Sequence, residues 1–292
     1  MSPIFSPRAA FACLACVVCH LGQARAVGPA PHDGLHDLIV RADARIDADP
    51  ENAAALLERA ALQRIHKAWT AALADLDRAA AVQPELPGLA AERGRLLLDV
   101  GHLQGALAHL TAELLATPAD PVLLQLRGEC NQRLGRSEAA LADFDAAIAA
   151  APACDPDLYL RRARLAASTG EAGLVRALAG LDAGLERCGA VPALLFEAIE
   201  LEAALGRRDA ALARVDALLA TAPKSAEPHA RRAALCEQFG RLDDAAGAWR
   251  ACLAALDALP ERRANAPAAR RLRDLAGERI ATLTVASEPR RR

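Results

Sequence analysis

Apolar side chains fall at helical spacing almost everywhere in this chain, in short runs that end at proline or glycine. The clearest stretch is Pro121 to Pro152, PVLLQLRGECNQRLGRSEAALADFDAAIAAAP, which reads as two amphipathic helices hinged at Leu134-Gly135-Arg136. No window shows the strict apolar–polar alternation of a half-buried strand. The unit also recurs. Pro50, Pro84, Pro118 and Pro152 stand at a constant interval of 34 residues, and glycines at the predicted turns follow at Gly101, Gly135, Gly170, Gly206 and Gly240. A helix that must stop and reverse favours a residue tolerant of left-handed backbone, hence glycine.

A helix-turn-helix unit of period 34 resembles the tetratricopeptide repeat (TPR). The resemblance implies an all-α fold, a right-handed α-solenoid of about six repeats at 53–84, 87–118, 121–152, 156–188, 192–223 and 226–257. A linker at 27–34 and a capping helix at 35–49 precede them; a second cap at 267–285 and a disordered tail at 286–292 follow. At motif positions 4, 8, 20, 24 and 27 the first repeat has Leu56, Ala60, Ala72, Leu76 and Ala79, and the third has Leu124, Gly128, Ala140, Phe144 and Ala147. Two departures stand out. Glu113 replaces the small residue at position 27 of repeat two, and repeat four has about two extra residues, expected between its turn and its second helix.

The first residues change the picture of location. Arg8, the apolar run from Ala9 to Cys19 and the Ala24-Arg25-Ala26 site have the order of a secretory signal peptide. Cleavage after Ala26 would place the mature chain in the periplasm or outside the cell, with no transmembrane span; an uncleaved N-terminal anchor is the alternative. Cys16-Val17-Val18-Cys19-His20 spells a haem-attachment motif, but it lies inside the segment to be removed, so neither haem nor any other cofactor is expected.

Formal net charge is −2, and all basic residues but Lys67 and Lys224 are arginine. Residues 261–292 hold nine arginines against four acidic residues, while 27–260 are net acidic. A basic end can attract nucleic acid or an anionic surface. No aromatic side chains interleave with these arginines, so a solvated capping helix is expected and nucleic acid is not expected as a partner.

Catalytic chemistry needs a base beside a nucleophile, paired carboxylates or metal spacing, and none is found. His32 and His36 share a helical face without a third ligand; His66, His102, His109 and His229 are scattered, so no metal site and no enzyme are expected. Arginine recurs at position 7, and Asp75 and Asp143 stand at position 23, which suggests the intra-repeat pairs Arg59 with Asp75 and Arg127 with Asp143.

The resemblance implies that positions 5 and 9 face a concave groove, giving Arg95, Gln125, Glu129, Leu160, Arg164, Phe196 and Glu200 as candidate ligand-binding residues. On the functional reading Phe196 and Leu160 anchor an apolar side chain while Arg164, Glu129 and Glu200 fix an extended segment. On the plain one, Phe196 packs on its neighbour and the charges of this ladder pair with one another. Cys130, Cys236 and Cys252 fall at core positions, whereas Cys154 and Cys188 flank repeat four where antiparallel helices would bring them together, so a disulfide is expected. These readings converge on a non-enzymatic scaffold that binds a peptide or protein segment. The alternatives are a nucleic-acid or anionic-surface binder through the arginine-rich end, and an accessory subunit of an envelope complex.

Overall fold

The computed structural model describes residues 31–287, with side chains from 34 to 284. The proposed signal peptide, its haem-like motif and the last five residues therefore lie outside the described residues. Fifteen helices and no strand occur among those described. They are α1 (Pro31–Ala48), α2 (Ala53–Ile65), α3 (Trp69–Val82), α4 (Leu89–Asp99), α5 (Leu103–Ala116), α6 (Pro121–Arg133), α7 (Ser137–Ala150), α8 (Pro156–Ala167) and α9 (Glu171–Cys188), followed by α10 (Pro192–Ala204), α11 (Arg208–Thr221), α12 (Ala226–Gln238), α13 (Leu242–Asp257), α14 (Glu261–Ala264) and α15 (Pro267–Ser287).

The helix starts are written into short local signals. At Asp120-Pro121 and Asp155-Pro156, proline occupies the first helical turn, where its missing N–H costs nothing, and the preceding aspartate caps the open amides. Asp120 Oδ1 accepts from the Val122 and Leu123 N–H groups at 2.8 and 3.0 Å, and Asn52 Oδ1 does the same for Ala55 at 2.9 Å.

The described residues form two compact units, one up to Leu96 and one from Leu97 onward, divided within α4, the first helix of repeat two. In the first unit α1 packs on α2 and α2 on α3, around a core of Ile46, Leu56, Leu57, Ala60, Ala72, Leu76, Ala79, Leu89 and Leu96. In the second unit each helix from α5 to α12 packs on the next, α8 also meets α10, and α15 closes the series against α13. This is the all-α solenoid arrangement, in which each hairpin buries its apolar faces against its neighbours.

Small residues set how closely the two helices of a hairpin approach. Gly128 of α6 lies directly against the fully buried ring of Phe144 on α7, where a Cβ would sit 2.6 Å from the ring. In repeat four Gly184 meets Tyr159 in the same way. The two extra residues of that repeat do not form a loop between turn and second helix, as the spacing suggested. Gly170 is followed at once by α9, which runs for 18 residues and takes the insertion into its first turn. Helical hydrogen bonding absorbs additional residues without leaving unpaired backbone groups.

Gly101, Gly135, Gly206 and Gly240 turn between helices with φ of 78°, 74°, 71° and 75°. The corresponding place in repeat one is Lys67, with φ of 62°. A side-chain-bearing residue pays about 1 kcal/mol to adopt this conformation, which glycine adopts freely. Lys67→Gly is therefore expected to raise stability by about 0.5–1 kcal/mol, read as a higher melting temperature with unchanged helicity.

Candidate binding face

Carboxylates and guanidinium groups are matched in a repeating way along each unit. Arg59 of α2 forks onto Asp75 of α3 with Nε and Nη2 both at 2.6 Å, and its Nη1 reaches back to Asp43 of α1 at 2.7 Å. Asp75 is almost fully buried, and this hydrogen bond holds the Arg59 guanidinium above its usual range. Arg127 forks likewise onto Asp143, whose other oxygen accepts from Asn131 Nδ2 at 2.9 Å. The predicted pairs Arg59 with Asp75 and Arg127 with Asp143 are thus brought together.

The other position-7 arginines follow a different rule. Arg93 reaches back to Asp77 at 2.5 Å, Arg162 to Asp145 and Arg232 to Asp216 at 2.9 Å, each carboxylate being on the second helix of the preceding repeat. Their own position 23 is occupied by His109, Gly180 or Ala248, none of which offers a carboxylate. Repeat five inverts the arrangement. Position 7 is Ala198, and Arg214 at position 23 joins Asp182 of α9 at 2.8 Å to the buried Glu202 of α10 at 3.2 Å. The acceptors Asp43, Asp77, Asp145, Asp182 and Asp216 share motif position 25 once the insertion in α9 is allowed for, a row visible in the sequence but legible only through its period.

The first helices carry a second row. Glu129 of α6 accepts from Arg161 of α8 at 3.0 Å, Arg164 of α8 donates to Glu197 of α10 at 3.0 Å, and Glu200 of α10 pairs with Arg231 of α12. Each bond joins position 9 of one repeat to position 6 of the next. The ladder residues Glu129, Arg164 and Glu200 therefore do not pair with one another, because the stacking offset brings a different turn of the next helix opposite each. Arg95 lies in the first unit, bonded to Glu92 at 3.2 Å.

Leu160 is buried and Gln125 half-buried, so Leu160 offers no exposed anchor; its helix α8 packs on α10 as well as on α9. Phe196 is half-buried, packs on the core of the last repeats, and has the Arg231 guanidinium stacked over its ring 5.3 Å from the centroid. Arg164 remains open, its side chain 65% exposed. Together Arg164, Glu197, Phe196, Arg231 and Glu200 form one continuous run across α8, α10 and α12.

No protein-family model matches the sequence, and no curated protein matches it. Among solved structures, the C-terminal part of a TPR repeat-containing protein from Cytophaga hutchinsonii superposes with a TM-score of 0.59 at 14% identity, covering 80% of this chain and 94% of that one. PilW, a type IV pilus biogenesis factor, superposes with a TM-score of 0.53 at 21% identity, covering 66% of this chain and 88% of its own. The fold is that of the tetratricopeptide repeat. Its TPR hairpins explain why both rows of ion pairs repeat with the helices rather than clustering at one place.

Cys154 and Cys188 are joined as a disulfide with Cα atoms 5.4 Å apart, tying the loop before α8 to the end of α9. Next to it Arg187 donates to the carbonyls of Ile148 and Ala151, satisfying orphan groups at the C-terminal end of α7. Cys130, Cys236 and Cys252 are buried thiols whose ionisation burial pushes to higher pH. The histidines are dispersed: His36 and His66 are exposed, and His229 Nε2 lies 3.0 Å from the Pro223 carbonyl. Among the described residues no group of three or more His, Cys, Asp and Glu side chains is placed to hold a metal ion, and no helix is long and apolar enough to cross a membrane.

Two outcomes follow from these contacts. Arg59→Ala strands the buried Asp75 carboxylate and is expected to cost about 3 kcal/mol, whereas Arg164→Ala at an exposed pair should change stability by no more than about 0.5 kcal/mol; chemical denaturation of the two variants measures the contrast. Alkylation at pH 8 of the reduced, folded protein, mapped by mass spectrometry, should modify Cys154 and Cys188 while Cys130, Cys236 and Cys252 react only after unfolding.

Proposed function

We propose that this chain is a non-enzymatic scaffold that binds a peptide or protein segment on the first-helix face of repeats three to six. The observation that carries the reading is the run Arg164, Glu197, Phe196, Arg231 and Glu200. It offers an aromatic platform, an exposed guanidinium and two carboxylates across the first helices of three successive repeats. Surface ion pairs of this kind contribute about 0.2–1 kcal/mol each, so an incoming backbone or side chain can exchange for one at little cost. An aromatic ring beside arginine is the composition that concentrates binding energy in protein interfaces.

The reading places the mature chain in the periplasm or outside the cell, on the strength of the Arg8 to Ala26 pattern. PilW is described as a pilus biogenesis factor, and the fold shared with it is compatible with service in an envelope assembly.

The test removes the platform without opening the core. Phe196 packs on buried residues, so alanine there would cost packing; leucine keeps most of the apolar volume. Arg164→Ala combined with Phe196→Leu should retain helicity and lower the melting temperature only slightly. A photo-crosslinker at Gln125 should capture a defined partner in cells with the unmodified face and lose it in the double variant. Undiminished capture by the folded double variant would overturn this placement of the site.

A further inference from the structure

Where the loop entering α12 meets the turn after α13, the second unit has a cavity of about 560 Å³ lined by Ala222, Pro223, Lys224, Ser225, Ala226, Leu259 and Arg263. Its walls are apolar and its charged groups are both cations. Most arginines of this unit are matched to a carboxylate or a carbonyl, yet neither the Lys224 ammonium nor the Arg263 guanidinium has a partner among the described residues. The same holds for the exposed side chains of Arg262, immediately before Arg263, and of Arg270 and Arg271 at the start of α15. Ser225 stands before α12 without spending its hydroxyl on a capping bond.

The carboxylates nearby do not neutralise this group. Asp257 is taken by Arg273 at 3.3 Å, while Glu227, Glu261 and Asp274 are exposed and make no ion pair with these cations. An unpaired cation normally finds a partner where a carboxylate is within reach, as the position-7 arginines do. Two unpaired cations at an apolar cavity therefore describe a surface complementary to an anionic group attached to an apolar body.

We propose that this cavity is a second docking site, for an acidic peptide segment that seats an apolar side chain against Pro223 and Leu259 and places carboxylates on Lys224 and Arg263. Nucleic acid fits it less well. No aromatic side chain lines the cavity to stack a base, and the apolar wall has no counterpart on a phosphate backbone. Charge-assisted bonds to Lys224 and Arg263 would hold the segment, and Arg262, Arg270 and Arg271 would raise its local concentration from a distance. The site is separate from the first-helix face, so either can fail without the other.

The test uses the full chain and a fluorescein-labelled twelve-residue peptide of alternating glutamate and leucine, read by anisotropy at low and at physiological salt. Binding is expected, weakening with salt, and Lys224→Gln combined with Arg263→Gln should reduce affinity by about tenfold or more. The Arg164→Ala, Phe196→Leu variant should bind the peptide as the unmodified chain does. Both cations are exposed, so the variants should keep the fold, and circular dichroism of each variant checks this. Equal affinity in the Lys224 and Arg263 variant, no binding at low salt, or tighter binding of a single-stranded oligonucleotide of equal charge would each overturn the proposal.

Discussion

The interaction on which the rest depends is the arginine–carboxylate bond at the seam between helices. A TPR hairpin rich in alanine brings its helices close, and a close seam leaves no room for water around a charged side chain. Asp75, Asp143 and Glu202 are buried there, and a buried carboxylate without a partner would be severely destabilising. Each therefore receives a guanidinium: the planar fork of arginine spans both oxygens of Asp75 and Asp143, whereas Arg214 bonds Glu202 through Oε1 alone, with Arg207 3.6 Å from the other oxygen. The direction in which the arginine reaches is decided by what its own second helix supplies: Asp75 and Asp143 draw Arg59 and Arg127 within the hairpin, while Gly180 and Ala248 leave Arg162 and Arg232 to the preceding one. The same side chain thus serves as a clasp within a repeat, as a link to the preceding helix or, at Arg59, as both.

Burial explains the contrast between this seam and the first-helix face. Both carry regularly spaced ion pairs, but those at positions 9 and 6 stand half in solvent, where attraction is screened and side-chain entropy opposes it. Such pairs orient neighbouring helices only weakly and remain exchangeable. A binding face benefits from that: its groups are held in approximate place, yet little is lost when a ligand takes over one partner. The three buried thiols belong to the other regime, since burial of Cys130, Cys236 and Cys252 favours the neutral form. Their folded ionisation lies above the unfolded range of about 8.5, so this contribution is complete below that pH and fades as pH rises through the folded value.

The period and the hairpins were legible because proline and glycine punctuate them, and because positions 8 and 27 demand small residues. Lys67 escaped notice since the only sign of its turn is a glycine that is not there. The position-25 aspartates carry no local signature either; one carboxylate among many on a helix means nothing until its copies are found 34 residues away. The pairing of positions 9 and 6 depends on the offset between stacked helices, which no pattern within one repeat contains. For the same reason Leu160 read as a groove residue although it is buried.

One feature of repeat four reaches beyond its own geometry. Cys154 and Cys188 are 34 residues apart, so the ring they close contains one full period of the array. In a linear array unfolding advances hairpin by hairpin from either end, each step releasing chain entropy at one junction. A covalent ring the size of one repeat withholds much of that entropy at a single interior step. The advancing boundary between ordered and melted chain meets a barrier there, and the repeats on either side of it become separate cooperative blocks.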